Sequence, residues 1–271
     1  MTTISSIERS MTVATTASDR EDGGDTMAFV SQTLTDQIHF VSIVPDGKTK
    51  GKDFGTDAHR AIAWATQQSA LGRNIYFTVN TVRPGVNKKP LKADMVGVRF
   101  AHVDVDPPRD GTPWDLQGAL TALKGFDPPP SFVISSGNGL QGLWRLEGAN
   151  LDEVEEINQA LIIRFGGDTG TGNYDRLLRV PGFTNFPTKK KRDAGRVETM
   201  ASLAERDTGT WTTAADIRLA LDITHVPFED CEPGKTETAK QAPPGEVTLL
   251  TALDCGSACK RNPVSGVIGV Q

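Results

Sequence analysis

Hydrophobic positions along this chain recur with the two spacings that distinguish strands from helices. Ile38 to Val44 predicts a first strand, closed by the turn Pro45-Asp46-Gly47. Asp57 to Leu71 places Ala61, Ile62, Ala65 and Gln68 on one helical face, and Gly72 ends that helix. Strands follow at Ile75–Asn80 and Val96–Val105, the second stopped by Pro107-Pro108. A helix is predicted from Trp114 to about Lys124. Pro128-Pro129-Pro130 then leads into the strand Ser131–Ile134, a polar turn, and a further strand through Leu143–Leu146. Leu151 to Phe165 repeats Val154, Ile157 and Leu161 at helical spacing, and Asp152, Glu153, Glu155 and Glu156 favour its N-terminal end. Short strand-like runs at Arg176–Val180 and Val197–Met200 precede a last helix, Thr213–Leu221.

The ends of the chain lack such order. Residues 1–30 are polar and aperiodic, which predicts a disordered tail. One folded domain is expected over residues 31–226. Residues 227–271 read as a linker, rich in Pro, Glu, Lys, Thr and Gly, followed by a tail. The 271 residues are 37% hydrophobic and 23% charged, as in ordinary globular proteins, and no apolar run reaches the ~18 residues of a membrane span. Cys231, Cys255 and Cys259 form no disulfide-like or four-ligand zinc pattern, which suggests reduced thiols in a cytosol. The net charge of −5 does not point to nucleic acid, so that argument rests on local clusters. The main ones are Lys189-Lys190-Lys191-Arg192 and the loop holding Arg83, Lys88, Lys89 and Lys92.

Three stretches carry candidate chemistry. In Asp104-Val105-Asp106 the two carboxylates lie two apart in a strand and project together, with His102 on the same face and Val103 and Val105 on the other. Paired carboxylates repel unless a cation lies between them, and oxygen ligands suit Mg²⁺ or Mn²⁺. Alone, the pair also fits a solvated strand end. In the second stretch, Ser136-Gly137-Asn138-Gly139-Leu140-Gln141, small residues between two strands fit either a plain hairpin loop or a nest of N–H groups for phosphate. The third is Asp175-Arg176-Leu177-Leu178-Arg179-Val180-Pro181-Gly182. Its arginines, set among apolar residues, require an anion, either a nearby Asp168 or Asp175 or a polyphosphate. The Gly-rich stretch 167–172 lacks the Lys-Ser/Thr of a P-loop.

In this order the three stretches resemble the archaeo-eukaryotic primase superfamily, in particular the RepB-like primase-polymerase domains of phage and plasmid replication proteins. The motifs that carry it are Asp104-Val105-Asp106, then Ser136-Gly137-Asn138-Gly139-Leu140-Gln141 with Trp144, then Asp168 ahead of Arg179-Val180-Pro181-Gly182-Phe183-Thr184-Asn185 and Lys189. The resemblance spans roughly residues 35–200 and departs from the family at Gln141, where a histidine is usual. Gln still donates a hydrogen bond but carries no charge.

The resemblance implies an α+β primase fold, an RRM-like antiparallel sheet joined to an N-terminal α/β unit, with residues 31–226 as the catalytic domain. It implies a DNA primase-polymerase in which Asp104, Asp106 and Asp168 hold Mg²⁺ or Mn²⁺, with Asp175 as the alternative third ligand. Ser136, Gly137, Asn138, Gly139, Gln141, Arg179 and Lys189 would bind a nucleoside triphosphate. Arg83, Lys88, Lys89, Lys190, Lys191 and Arg192 would bind a single-stranded DNA template. A replicative helicase, as a domain or a separate protein, is a further partner, no membrane is involved, and the setting is a bacterial host cytosol. The chain then reads either as the front part of a longer replication protein or as ending in a tail. Two other readings are a non-catalytic DNA-binding initiator module with a degenerate primase fold and a metal-dependent nuclease.

Overall fold

The computed structural model describes residues 17–108 and 113–223, with side chains from residue 25 onward. In chain order the elements begin α1 (Ala17–Thr33), β1 (His39–Ile43), β2 (Thr49–Asp53), α2 (Ala58–Ala70), β3 (Asn74–Thr78), β4 (Thr81–Val82), β5 (Met95–Gly97) and β6 (Phe100–Val105). They continue α3 (Leu116–Lys124), β7 (Phe132–Ser135), β8 (Leu140–Glu147), α4 (Leu151–Phe165) and β9 (Leu177–Arg179). The last are β10 (Thr184–Asn185), α5 (Lys189–Asp193), β11 (Thr199–Met200), β12 (Ser202–Glu205), β13 (Trp211–Thr213) and α6 (Ala214–Ala220). Among the described residues no helix is long and apolar enough to cross a membrane.

Two sheets build the body. The first runs β2-β1-β3-β9 with every pair antiparallel. The N-terminal unit is therefore completed by β9, a strand from much later in the chain. The second runs β12-β7-β8, with β6 and β13 both on β8; its pairs are antiparallel except β8 with β13. Small two-stranded pairings, β4 with β5 and β10 with β11, fasten the loops.

The second sheet is buried on both faces, and strand alternation divides its residues between two cores. Ala101, Val103, Val105, Val133 and Trp144 pack against Leu123 of α3 and Val154, Ile157 and Leu161 of α4. Phe100, Phe132, Ile134 and Leu143 face the first sheet, meeting Phe40, Ile75 and Phe77. On that inward face the β6–β8 register sets His102 opposite Leu143 and Asp104 opposite Gln141. One end of the shared interior is thus apolar and the other polar.

Local signals explain the helices. Asp57 caps α2 by accepting from the Arg60 amide at 2.9 Å. Asn150 and Glu153 form a reciprocal capping box on α4, which ends at Gly166 with φ +65°. The structure departs from the sequence at the N-terminus. The disordered tail expected to residue 30 is, from Ala17, the helix α1, and Phe29 and Val30 are buried in the core. Its apolar residues are confined to its last turns, so no amphipathic stripe announces it. Residues 1–16, the tail 227–271 and its three cysteines lie outside the described residues.

Candidate active site: an acidic cluster facing a buried arginine

β6 ends in Asp104 and Asp106 where the interior turns polar. The Asp104 side chain is 14% exposed. Burial, then the neighbouring charges of Asp106 and Asp168, push its carboxyl up to about 6. The Arg176 guanidinium, 3.7 Å away, and the Gln141 amide, 3.4 Å away, only partly offset this.

The stretch carrying Asp168 is fastened to the acid strand by its backbone. The Asp168 N–H donates to the Asp104 carbonyl at 3.0 Å. A side chain on Gly167 would come within 2.9 Å of the same carbonyl, so only glycine permits the approach. Asp168 also caps the single 3₁₀ turn Thr169–Thr171, accepting from the Gly170 N–H at 3.1 Å. His102 secures the far side of that turn. Its Nε2 lies 2.9 Å from the Thr171 carbonyl, which can only accept, so Nε2 carries the proton. Burial lowers this imidazole to about 4, keeping it neutral. Asn158 of α4 links the same pieces, accepting from the His102 N–H at 2.7 Å and donating to the Gly172 carbonyl at 3.1 Å. Asp175 bonds Asn173 instead and influences Lys92 and Tyr174. The acid beside Asp104 is therefore Asp168. Among the described residues no three carboxylates, imidazoles or thiols form a ready-made metal cage.

Arg179, on the facing wall, is mostly buried, and its guanidinium meets amides and an aromatic ring. It donates to the side-chain carbonyls of Asn74 (2.6 Å) and Asn185, and its charge lies 4.4 Å from the centre of the Tyr76 ring. Desolvation lowers its pKa, while Tyr76, Asp104 and Asp106 act the other way. Gln141 joins the two walls: its Nε2 donates to Asp104 and its Oε1 accepts from the Arg179 N–H at 3.0 Å. Asn185 donates to the Ser136 carbonyl at 2.8 Å, tying the third motif to the second.

The Ser136–Gln141 turn is closed upon itself. Ser136 N–H donates to the Gly139 carbonyl at 2.9 Å, and Ser136 Oγ accepts from the Gly139 N–H at 3.1 Å. Those two amides are therefore spent inside the turn. Its glycines serve close packing: a Cβ on Gly137 (φ +90°) would lie 2.1 Å from Thr199 Oγ1. One on Gly139 would lie 2.5 Å from the Val105 carbonyl and 2.6 Å from Asp106 Oδ1. Asn138 sits half-buried at the tip.

Comparison with known proteins bears on the fold. Residues 116–217 match the family model of the RepB DNA-primase N-terminal domain. The AEP domain of the cyanophage S-2L primase-polymerase superposes with a TM-score of 0.53 at 16% identity, over 74% of this chain and 98% of that one. The chain therefore shares the fold of that primase-polymerase domain, and residues 116–217 carry the likeness to the RepB primase family. Two further solved structures are similar, each with a TM-score of 0.48 at 17% identity over 72% of this chain. They are primase RepB′, matched over 62% of its length, and the catalytic domain of RepB′ in complex with initiator DNA, matched over 93%. No curated protein sequence matches.

The basic residues expected on nucleotide and template lie apart from the acids. Lys189, expected on the triphosphate, begins α5, where its amide donates to Asp46 and its ammonium pairs with Asp193 at 2.7 Å. Lys190 and Lys191 are exposed on the same short helix, and Arg192 donates to the Pro187 carbonyl at 2.6 Å. Arg83 and Lys88 both pair with Asp94, at 2.8 and 3.5 Å. Lys89 stands beside the edge of β2. The sequence did not single out Asn74, Tyr76 or Asn158. Tyr76 alternates with apolar Ile75 and Phe77, the one signal that it faces the opposite side of its strand.

Proposed function

We propose that this chain is a DNA primase-polymerase of a phage or plasmid replication system, joining nucleotides on a single-stranded template. The observation that carries this reading is a mostly buried arginine facing Asp104 and Asp106, with Asp104 raised to about 6 and Asp168 beside it, on a primase fold. The residues fit a divalent ion. Asp104, Asp106 and Asp168 offer only hard oxygens, and Asp104 titrates as a carboxylate short of positive charge. Mg²⁺ or Mn²⁺ held there would supply activation of the attacking hydroxyl and neutralisation of charge on the transferred phosphoryl group.

The chain's own residues do the rest. Arg179, oriented by Asn74 and Asn185, presents a desolvated guanidinium for a triphosphate, and its charge counts for more there than in water. Gln141 fixes the spacing between that arginine and Asp104. His102 and Asn158 hold the Asp168 turn in place. The Ser136 turn forms a wall against Asp106. Lys190, Lys191, Arg192 and Lys89 remain exposed for template phosphates.

Primer extension on a DNA template with Mg²⁺ or Mn²⁺ tests the proposal. Extension should occur and should be abolished by Asp104→Ala or Asp106→Ala. Template binding without incorporation would instead establish the non-catalytic initiator module, and shortening of the input strand would establish a nuclease.

A further inference from the structure

The edge strand β2 carries a feature that the catalytic cleft does not use. A groove of about 350 Å³ opens along it, lined by Lys50, Gly51 and Lys52, by Lys88 and Lys89 of the following loop, and by Trp64 of α2. Gly51 shapes it, because a Cβ there would lie 2.0 Å from the Lys88 carbonyl; its absence lets the loop settle over the strand. Lys50 and Lys52 fall opposite Ser42 and Phe40, on the side of the sheet where Ser42 bonds Gln68 of α2. Trp64 rests 5.5 Å from Phe54, and Lys52 lies 5.3 Å from the Phe54 ring centre. Among the described residues Lys50, Lys52 and Lys89 have no carboxylate partner. In a chain of net charge −5, four lysines around one partly exposed tryptophan make a local reversal of sign.

We propose that this groove is a second binding site for single-stranded DNA, outside the catalytic cleft. Trp64 would stack a base, and Lys50, Lys52, Lys88 and Lys89 would hold phosphates. The inference rests on the primase reading above and names where its strand continues. In the order β2-β1-β3-β9 the groove and Arg179 occupy opposite edges of one sheet; the register sets Gly51, with the Lys88 loop over it, on the Arg179 face, and Lys50 and Lys52 on the other. A strand leaving the cleft would cross the sheet over the Lys88 loop and turn round the β2 edge to meet Lys50, Lys52 and Trp64. An added peptide strand fits less well, since lysines along a short edge strand discourage strand addition.

The test is the affinity of the full chain for labelled oligodeoxythymidylate, followed by fluorescence anisotropy across a salt series. For the combined Lys50→Gln, Lys52→Gln and Lys89→Gln variant, the slope of log K against log salt should fall by ~2, at ~0.7 for each phosphate lost. Trp64→Ala should weaken binding about five- to a hundredfold, the equivalent of one stacked base. Trp64→Leu fills the space against Phe54 and should show the same loss with the melting temperature kept. Unchanged affinity and slope in the lysine variant would overturn the proposal. So would displacement of the DNA by polyglutamate with Trp64→Leu silent, which would assign the groove to an acidic polypeptide. Primer extension by the wild-type protein is measured in parallel. Extension with an unaffected slope refutes the groove alone, and a groove-dependent slope without extension refutes the polymerase alone.

Discussion

Replacing Asp104 with asparagine should stabilise the protein while destroying its chemistry. Asp104 ordinarily titrates near 3.8 but in the folded chain near 6, a rise of about 2 units. At about 1.4 kcal/mol per unit, the folded state spends up to about 3 kcal/mol keeping this carboxylate charged at neutral pH. The folded-state value lies above the unfolded one, so the folded chain holds the proton more tightly. The group's contribution is most favourable below pH 3.8, falls as pH rises to about 6, and is constant beyond. Asparagine keeps the shape and an oxygen for the Gln141 amide but has no such titration. Thermal melts of both proteins from pH 4 to 8 should therefore give similar Tm values at the acid end and a variant more stable at pH 8. At about 2–4 °C per kcal/mol the gap is up to roughly 10 °C. Millimolar Mg²⁺ or Mn²⁺ should raise Tm of the wild type above pH 6 and leave the variant unmoved. A difference that stays flat across pH, or a variant less stable at pH 8 than at pH 5, would refute the argument that Asp104 is short of positive charge.

The neighbours of Asp104 give sharper, smaller tests. Gly139→Ala forces a methyl against the Val105 carbonyl and Asp106, and should lower kcat in primer extension at least tenfold, with the fold retained by circular dichroism. Gln141→Ala leaves the Arg179 N–H unpaired and the Asp104 carboxylate with Arg176 alone, a loss of about 1–3 kcal/mol, and should raise the nucleotide KM more than it lowers kcat in steady-state extension. Neutralising Lys190, Lys191 and Arg192 should weaken DNA binding about equally across sequences and cut the salt slope by up to ~2, measured by anisotropy. Asp168→Ala should abolish extension, whereas Asp175→Ala should leave most of it; the reverse result would move the third acid to Asp175.

How much was legible follows from where each signal resides. The helix Leu151–Phe165 was readable to the residue because its apolar spacing, acidic first turn and following glycine all agree. Asp104 and Asp106 announced themselves because a period of two is a local property. β2 was not readable: Thr49-Lys50-Gly51-Lys52-Asp53 is polar because it forms an edge, and its pairing depends on β1. α1 was missed because its apolar residues are confined to its last turns. The partners of Arg179 were invisible for another reason. Asn74 lies 105 positions away, and only the pairing of β3 with β9 brings the two together. The glycines of the Ser136 turn were legible, but the packing they permit was not. They admit Thr199 and Asp106, and two of the amides expected for a phosphate are closed inside the turn.

The helix before β1 sets a boundary that motifs alone would misplace. The Phe29 ring lies 5.4 Å from Phe77 in one sheet and 5.6 Å from Phe132 in the other, so it wedges the two walls at a fixed separation. Three side contacts reinforce the wedge: Thr26 donates to the Pro181 carbonyl, Asp25 pairs with Arg206, and the Gln32 carbonyl accepts from Arg145. The helix that makes these contacts precedes the acids and lies outside residues 116–217, which carry the family likeness. A shortened protein starting at residue 35 would keep every acid and arginine of the candidate site. It would lose the wedge between the two sheets and leave Gln141 as the tie across the site: chemically complete, but mechanically slack.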